Sequence, residues 1–439
     1  MGSESEERGA ARAPTGTRDV LWPESWQFES SAARFAALVQ GSGYGLLQSP
    51  TFEYSSVFRK GIGEENDVVG REMYEFADRD GKLLALRPEG TASVVRAYLQ
   101  HRPTLPWKAW YATPLFRHER PQAARYRQHH QLGIEALGVA DADMDVEVVW
   151  VADTFLREMG LADFSLHIGS MGDGTCRPGY VAELAAHLSA HRDELCDDHR
   201  LRLDTNPMRV LDCKRPECRA VTAGAPRLLD HLCEACAAHF DRVRAGLDAL
   251  GIGYELDDRL VRGFDYYTRT TFEFASGAID AAQNALGGGG RYDGLVEMLG
   301  GEPTPGVGFG IGLERVLIAC GAEGVDLSGP PRLDAFVVDV TGGGAARDLT
   351  IALRRAGLRA DRAFDGRSMK AQMKLADRSG ARVALIVGPE ELRAGTVLVR
   401  PLRDGAAQRQ VGTADVVGAV SGEGAFSGEG ASSGEREGT

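Results

Sequence analysis

Glycine stands at every second position from Gly306 to Gly312, and a period of two has meaning only on a β-strand, whose side chains point alternately to its two faces. Such a strand presents one bare face, which suits a flat ring lying on it. The chain then enters a helix with Arg315 in its first turn. An arginine there opposes the positive end of the helix dipole, so a bound anion explains it better than helix stability does. The spacing does not fit the G-x-G-x-x-G dinucleotide fingerprint.

Other periodicities place this strand in an α+β chain, an antiparallel sheet with helices packed against it. Phe28, Ala32, Phe35, Leu38 and Val39 recur at helical spacing over 26–40, Gly41 to Gly45 break that helix, and Leu46–Phe52 reads as a strand. Strands are predicted at 83–87, 108–116, 128–137, 268–275 and 305–311, and a helix at 143–159 with Asp141, Asp143 and Asp145 at its positive end. At 439 residues, two or three domains are expected. Residues 14–172 and 259–325 read as two parts of one core. Residues 173–258, Ala-rich and holding most of the cysteines, read as a helical insertion between them. A small α/β domain is predicted over 331–415, with strands at 333–340, 382–388 and 396–401 and helices at 344–356 and 367–378. Residues 1–13 and the Gly/Ser/Glu-rich 418–439 are expected to be disordered.

Composition excludes several classes. With 43% apolar and 26% charged residues the chain is globular rather than disordered. No apolar run approaches the ~18 residues that cross a membrane. No secretory signal is visible at the N-terminus, and seven cysteines suit a reducing cytoplasm better than a disulfide scaffold. The net charge of −13 disfavours nucleic-acid binding by bulk charge but leaves room for local basic patches.

Four clusters carry chemistry. The loop between strands 108–116 and 128–137 holds Arg117, Arg120, Arg125 and Arg127, and guanidinium forks suit phosphates. Alone, it would read as a solvated basic loop. Gln131, Gly133 and Glu135 alternate onto one face of the following strand, the glycine leaving room for a ligand. A buried carboxylate needs a partner such as an ammonium or imidazole; the alternative is a polar outer face. Glu89-Gly90-Thr91 lies where a strand becomes a helix: Glu89 can hold a cation and Gly90 permits close approach, or the segment is merely a helix cap. Finally, Arg262 to Tyr267 is dense in polar groups, and the run Gly287–Asp293 lacks the Gly-Lys-Ser/Thr end of a phosphate-binding P-loop.

Together these clusters describe a nucleotide site on an antiparallel sheet. The strings Arg87-Pro88-Glu89-Gly90-Thr91, Arg117-His118-Glu119-Arg120-Pro121-Gln122 with Arg125-Tyr126-Arg127-Gln128, Leu260-Val261-Arg262-Gly263-Phe264-Asp265-Tyr266-Tyr267 and Gly312-Leu313-Glu314-Arg315 resemble the bacterial histidyl-tRNA synthetase family, of class II. The resemblance runs from about Thr15 to Val411. It implies ligation of histidine to tRNA(His) through a histidyl-adenylate, with ATP and Mg2+ as the substrate complex, by a cytoplasmic homodimer. It implies catalytic roles for Arg117 and Arg262. It assigns ATP to Arg117, Glu119, Arg125, His129 and Arg315, with His129 at a position where relatives often carry Phe. It assigns histidine to Glu89, Gly90, Thr91, Gln131, Glu135, Tyr266 and Tyr267, with Glu135 and Tyr267 reading the imidazole nitrogens. Arg120 and Gln122 would meet the tRNA acceptor end. Residues 331–415 would bind the anticodon, which suits ten Lys/Arg against four Asp/Glu over 347–382, a net +6.

The alternative within the fold is a non-catalytic, histidine-binding regulatory subunit of ATP phosphoribosyltransferase, which usually lacks the last domain and some of the arginines. Cys213, Cys218, Cys233 and Cys236 are spaced so that one structural zinc is conceivable, with free thiols the preferred reading.

Overall fold

In a computed structural model, residues 11–63, 66, 68–120, 125–261, 263–279, 284–329, 332–403 and 405–422 are described. The chain divides into two units, Met1–Leu327 and Ser328–Thr439.

The first unit begins with helix α1 (Glu24–Gly41), strands β1 (Gly45–Leu46) and β2 (Phe52–Tyr54) and helix α2 (Ser55–Ile62). Strands β3 (Glu75–Ala77) and β4 (Leu83–Leu86) precede helix α3 (Thr91–His101). The long hairpin β5 (Trp107–Phe116) and β6 (Gln128–Leu137) follows, then helix α4 (Ala142–Glu158) and strand β7 (Phe164–Ser170). Helices α5 (Arg177–Ala190), α6 (Asp197–Arg202), α7 (Pro216–Ala223) and α8 (Glu234–Ala249) lead to β8 (Glu255–Leu256), β9 (Thr268–Ser276), β10 (Ala285–Arg291), α9 (Leu295–Met298), β11 (Gly306–Gly312) and α10 (Leu313–Ala322).

The main sheet has the order β1-β5-β6-β11-β10-β9-β7-β8 and is antiparallel except for the two short edge strands. Its two faces follow from the period-two sequences. Leu132, Ile134 and Ala136 of β6 and Val307, Phe309 and Ile311 of β11 enter the principal core, so Gln131, Gly133, Glu135 and the alternate glycines occupy the opposite face. Helices α1, α4 and α10 close the apolar side, Phe35 of α1 lying edge-on to Trp110, Phe155 and Phe309. Helix α4 starts where Asp141 accepts the Asp143 N–H at 3.0 Å, and burial of Val148, Val149 and Val151 overrides the weak helix preference of β-branched residues.

Three expectations need correction. Leu46–Phe52 is not one strand: its ends join different sheets. Between them buried Arg87 donates to the carbonyls of Ser49 (2.8 Å), Pro50 (3.2 Å) and Pro114 (2.9 Å), which satisfies backbone that no ladder pairs. The insertion does not extend to 258 as a separate piece. Phe240, Val243 and Leu247 of α8 belong to the principal core, and β8 pairs with β7. The tail does not begin at 418, since helix Val416–Ser421 buries Val416 and Val420; residues 1–10 and 423–439 lie outside the described residues.

The second unit has a five-stranded sheet of order β13-β12-β14-β15-β16, from β12 (Ala335–Asp339), β13 (Ala360–Arg362), β14 (Val383–Val387), β15 (Thr396–Pro401) and β16 (Arg409–Gly412). Its core includes Val337, Leu349, Leu353, Leu385 and Val397. Strands β13 and β16 escaped the sequence reading because they are short edge strands with charged residues, Asp361 and Arg362 in one and Arg409 in the other.

Candidate active site

A cavity of about 550 Å³ opens on the polar face of the main sheet. Ten of the expected site residues line it: Glu89, Thr91, Arg117, Glu119, Arg125, His129, Gln131, Tyr266, Tyr267 and Arg315. Its two ends differ in construction.

One end is a layer of polar groups bonded to each other. Glu135, 1% exposed, lies under the cavity; the Thr91 hydroxyl donates to it at 2.7 Å, and so does the Tyr292 hydroxyl. The polar outer face considered for this strand is therefore excluded. Burial pushes the Glu135 carboxyl up to about 8, against the pull of the Tyr292 and Thr91 bonds. Tyr111 donates to Gln131 Oε1 at 3.1 Å. Glu89 accepts the N–H groups of Thr91 and Ala92, each at 2.7 Å, so it caps α3 while also lining the cavity. Burial leaves its carboxyl above the ordinary value despite those bonds.

The glycines work differently from the expectation. A Cβ at Gly133 or Gly90 would overlap the Tyr111 ring, one at Gly308 the Glu135 carboxylate, and one at Gly310 the Gln131 amide. The register explains it: Tyr111 faces Gly133, and Gly308 faces Glu135. The missing side chains make room for the protein's own polar layer. Gly312 differs from these: no atom lies closer than 3.8 Å to a Cβ position there.

The other end is built of charge. Arg117 donates from Nε to Pro88 O at 2.8 Å, and its guanidinium lies 5.6 Å from the Phe264 ring centroid. Glu119 is 3.3 Å from Arg125 and 4.0 Å from Arg117. Arg315 donates to Ala285 O at 2.8 Å. Burial lowers the Arg315 pKa, and the charges of Arg125 and Arg117 lower it further, against Glu119 and Glu273. His129 also lines the cavity, within reach of the charges of Arg117 and Arg315. Burial, then the charges of Arg117 and Arg315, push its pKa to about 3, so it is a neutral ring at physiological pH.

Arg120 is exposed and does not line the cavity. Arg262 and Gln122 lie outside the described residues. The four insertion cysteines do not form one set. Cys213 and Cys218 gather with Cys196 and His199, and Cys233 and Cys236 with Cys176 and Asp173, because the helices between them bring other segments into each cluster.

Tyr111, Tyr292 and Arg177 were missed in the sequence. Arg177 donates to the carbonyls of Met171 (2.8 Å) and Tyr267, fixing the backbone of an expected histidine reader. A hairpin drawn symmetrically about the Arg-rich loop would have set Tyr111 opposite Gly133; nothing local marks Arg177. Lys214, Arg219 and Arg259 add further cations to the lining. Arg291, grouped in sequence with the glycine run, is a core residue. It donates to Asp145 from Nε at 3.2 Å and to Val139 O at 2.8 Å.

Comparison with known proteins agrees with this geometry. A family model described as histidyl-tRNA synthetase matches residues 16–173 and 179–316, and one described as an anticodon binding domain matches residues 334–423. A histidine–tRNA ligase from Rhodococcus erythropolis is 49% identical over 398 residues, covering 90% of this chain and 93% of that protein. One from Mycobacterium marinum is 48% identical over 413 residues, covering 92% and 97%. The crystal structure of apo S. aureus histidyl-tRNA synthetase is similar with a TM-score of 0.78 at 34% identity, covering 94% of this chain and 100% of that one.

Proposed function

The chain belongs to the histidyl-tRNA synthetase family, and from that premise we propose how its cavity activates histidine with ATP and delivers it to tRNA(His). The observation that carries the reading is one cavity with three arginines, Arg117, Arg125 and Arg315, at one end and a buried polar layer at the other. Cations that raise one another's energy favour a polyanion such as a triphosphate. A layer of buried donors and acceptors favours a small ligand with matching polar atoms and rejects apolar ones strongly.

Arg117 neutralises the α-phosphate, and Arg125 and Arg315 hold the terminal phosphate. Glu119 accepts from the adenine edge, and neutral His129 stacks on the base. Magnesium comes with the β- and γ-phosphates as part of the substrate. Glu89, Thr91 and Gln131 receive the histidine ammonium; Glu135 and Tyr267 read the two ring nitrogens, with Tyr266 packed at 4.7 Å against Tyr267. Gly90 serves this end indirectly, by admitting Tyr111. The histidine carboxylate attacks the α-phosphorus and pyrophosphate leaves; the tRNA 3′-terminal hydroxyl then attacks the acyl carbon and AMP leaves. No protein nucleophile is required, so catalysis is positioning and charge neutralisation. Arg262 is assigned beside the reacting carboxylate on resemblance alone, and Arg120 and Gln122 to the acceptor end on the same basis.

Supporting features extend the proposal. Phe52, Tyr54 and Phe76 share one face of the small sheet β2-β4-β3 and are exposed, an apolar surface suited to a second copy and hence a homodimer. In the second unit exposed Phe364 lies 4.6 Å beneath the Arg362 guanidinium, a pairing that suits an unstacked anticodon base. Among the described residues no helix is long and apolar enough to cross a membrane, and the expected location is the cytoplasm. The regulatory-subunit alternative is less supported, since the chain carries a segment matching the anticodon-binding model.

ATP–pyrophosphate exchange with each amino acid in turn tests the reading. Exchange stimulated by histidine alone is expected. Histidine binding without exchange would mean a regulatory protein, and exchange with another amino acid would overturn the roles of Glu135 and Tyr267.

A further inference from the structure

The geometry points to two structural zinc sites in the segment from the end of β7 to the first turn of α8, one held by Cys196, His199, Cys213 and Cys218 and the other by Asp173, Cys176, Cys233 and Cys236.

In each group the four ligand atoms all lie within 4.8 Å of one another. A tetrahedral zinc with Zn–S of about 2.3 Å and Zn–N or Zn–O of about 2.0 Å sets ligand atoms roughly 3.5–3.8 Å apart. The observed separations bracket that value. His199 Nδ1 is 3.0 Å from Cys196 Sγ and 4.0 Å from Cys218 Sγ. Asp173 Oδ1 is 3.6 Å from Cys176 Sγ and 3.8 Å from Cys233 Sγ. All six cysteines are free thiols rather than disulfides. Backbone N–H groups already point at two of the sulfurs: Cys196 N donates to Cys218 Sγ and Asp173 N to Cys176 Sγ, each at 3.3 Å. Such bonds orient thiolate ligands and stabilise their charge. Three thiolates with one imidazole or carboxylate form a closed, soft donor set that selects zinc over magnesium or calcium and leaves no position for a reacting water.

The fold gives such sites a purpose. The segment is made of short helices and 3₁₀ turns, and a piece this small gains much from a staple. The Asp173 site ties its entrance to its exit, closing a loop whose ligands lie 60 residues apart. The His199 site ties the middle together. One site touches the cavity directly and the other is linked to it through Arg177. Cys213 lines it, and Cys176 immediately precedes Arg177, which holds the Tyr267 carbonyl. On binding, each thiol releases its proton to solvent.

Elemental analysis of the full chain, purified without chelator, tests the assignment. About two zinc per chain are expected, falling to about one in Cys218→Ser and about one in Cys236→Ser, with His199→Cys keeping both. Cobalt substitution of the unaltered protein gives a second readout that does not depend on a serine variant folding: thiolate-to-cobalt charge-transfer bands and intense visible ligand-field bands are expected. Less than about a tenth of an equivalent of zinc together with no cobalt bands, or native disulfides within these pairs, would overturn both sites. A single zinc lost only in Cys218→Ser would overturn the Asp173 site, and one lost only in Cys236→Ser would overturn the His199 site.

Discussion

The two ends of the cavity solve opposite physical problems. At the end proposed to hold histidine, Glu135, Thr91, Tyr292, Gln131 and Tyr111 are joined by hydrogen bonds. The polar groups of that layer are already paired with one another. At the end proposed for the nucleotide Glu119 meets Arg125 and Arg117 only at 3.3 and 4.0 Å, and Arg315 is held by a neutral carbonyl. Charge there is positioned but poorly compensated. The contrast teaches that specificity for a small, uncommon side chain is built from buried hydrogen bonds, whose loss is costly. Tolerance of a large, flexible polyanion is built from loosely paired arginines.

If the ends are independent, Arg117→Ala should give the largest effect. Single-turnover histidyl-adenylate formation should fall by about 10²–10³, while histidine binding without ATP, measured by calorimetry, is unchanged. A parallel loss of histidine affinity would break the division. A smaller effect belongs to the His129 ring. His129→Ala should raise the KM for ATP roughly tenfold, within the about 1–3 kcal/mol of base–aromatic stacking. His129→Phe should restore it, and neither change should alter the KM for histidine. Because His129 stays neutral down to about pH 3, ATP binding should show no histidine-like titration near neutrality.

The smallest expected effect sharpens the histidine end. With its carboxyl raised to about 8 from an ordinary 4.5, Glu135 is mostly protonated at neutral pH before histidine binds. Accepting the ligand's ring N–H then releases a proton, so histidine affinity should rise about fivefold between pH 7 and 8, and Glu135→Gln should flatten that slope. The same shift sets a sign for stability. The contribution of this neutral carboxyl to the unliganded fold is fully present below about pH 4.5 and is lost as pH rises through about 8. A pH-independent affinity in the parent protein would mean that Glu135 binds its ligand as a neutral acid.

Much of the site was legible because its signals are local. Period-two alternation in Gln131–Glu135 and Gly306–Gly312 needs no knowledge of what lies opposite. The Arg-rich loop declares itself by composition, and Glu89-Gly90-Thr91 sits at a strand-to-helix change readable from the flanking pattern. The family strings then supplied residue roles that no spacing could.

What the tertiary structure alone decided concerns partners from remote segments. Register set Tyr111 against Gly133 and Glu135 against Gly308, so glycines that suggested ligand space serve the protein's own side chains. Burial, which depends on packing, raised the Glu135 carboxyl to about 8, even though Tyr292, 157 residues away, donates to it and pulls the other way. Arg291 became a core residue because Asp145, 146 residues away, pairs with it there. The cysteines divided into two clusters because packing brought His199 of α6 to one pair and Asp173, in the turn after β7, to the other. Sequence by itself determined which face of each strand is polar, since alternation is a property of the local backbone. The folded chain determined what those faces meet, because burial and hydrogen-bond partners depend on segments that only packing brings together.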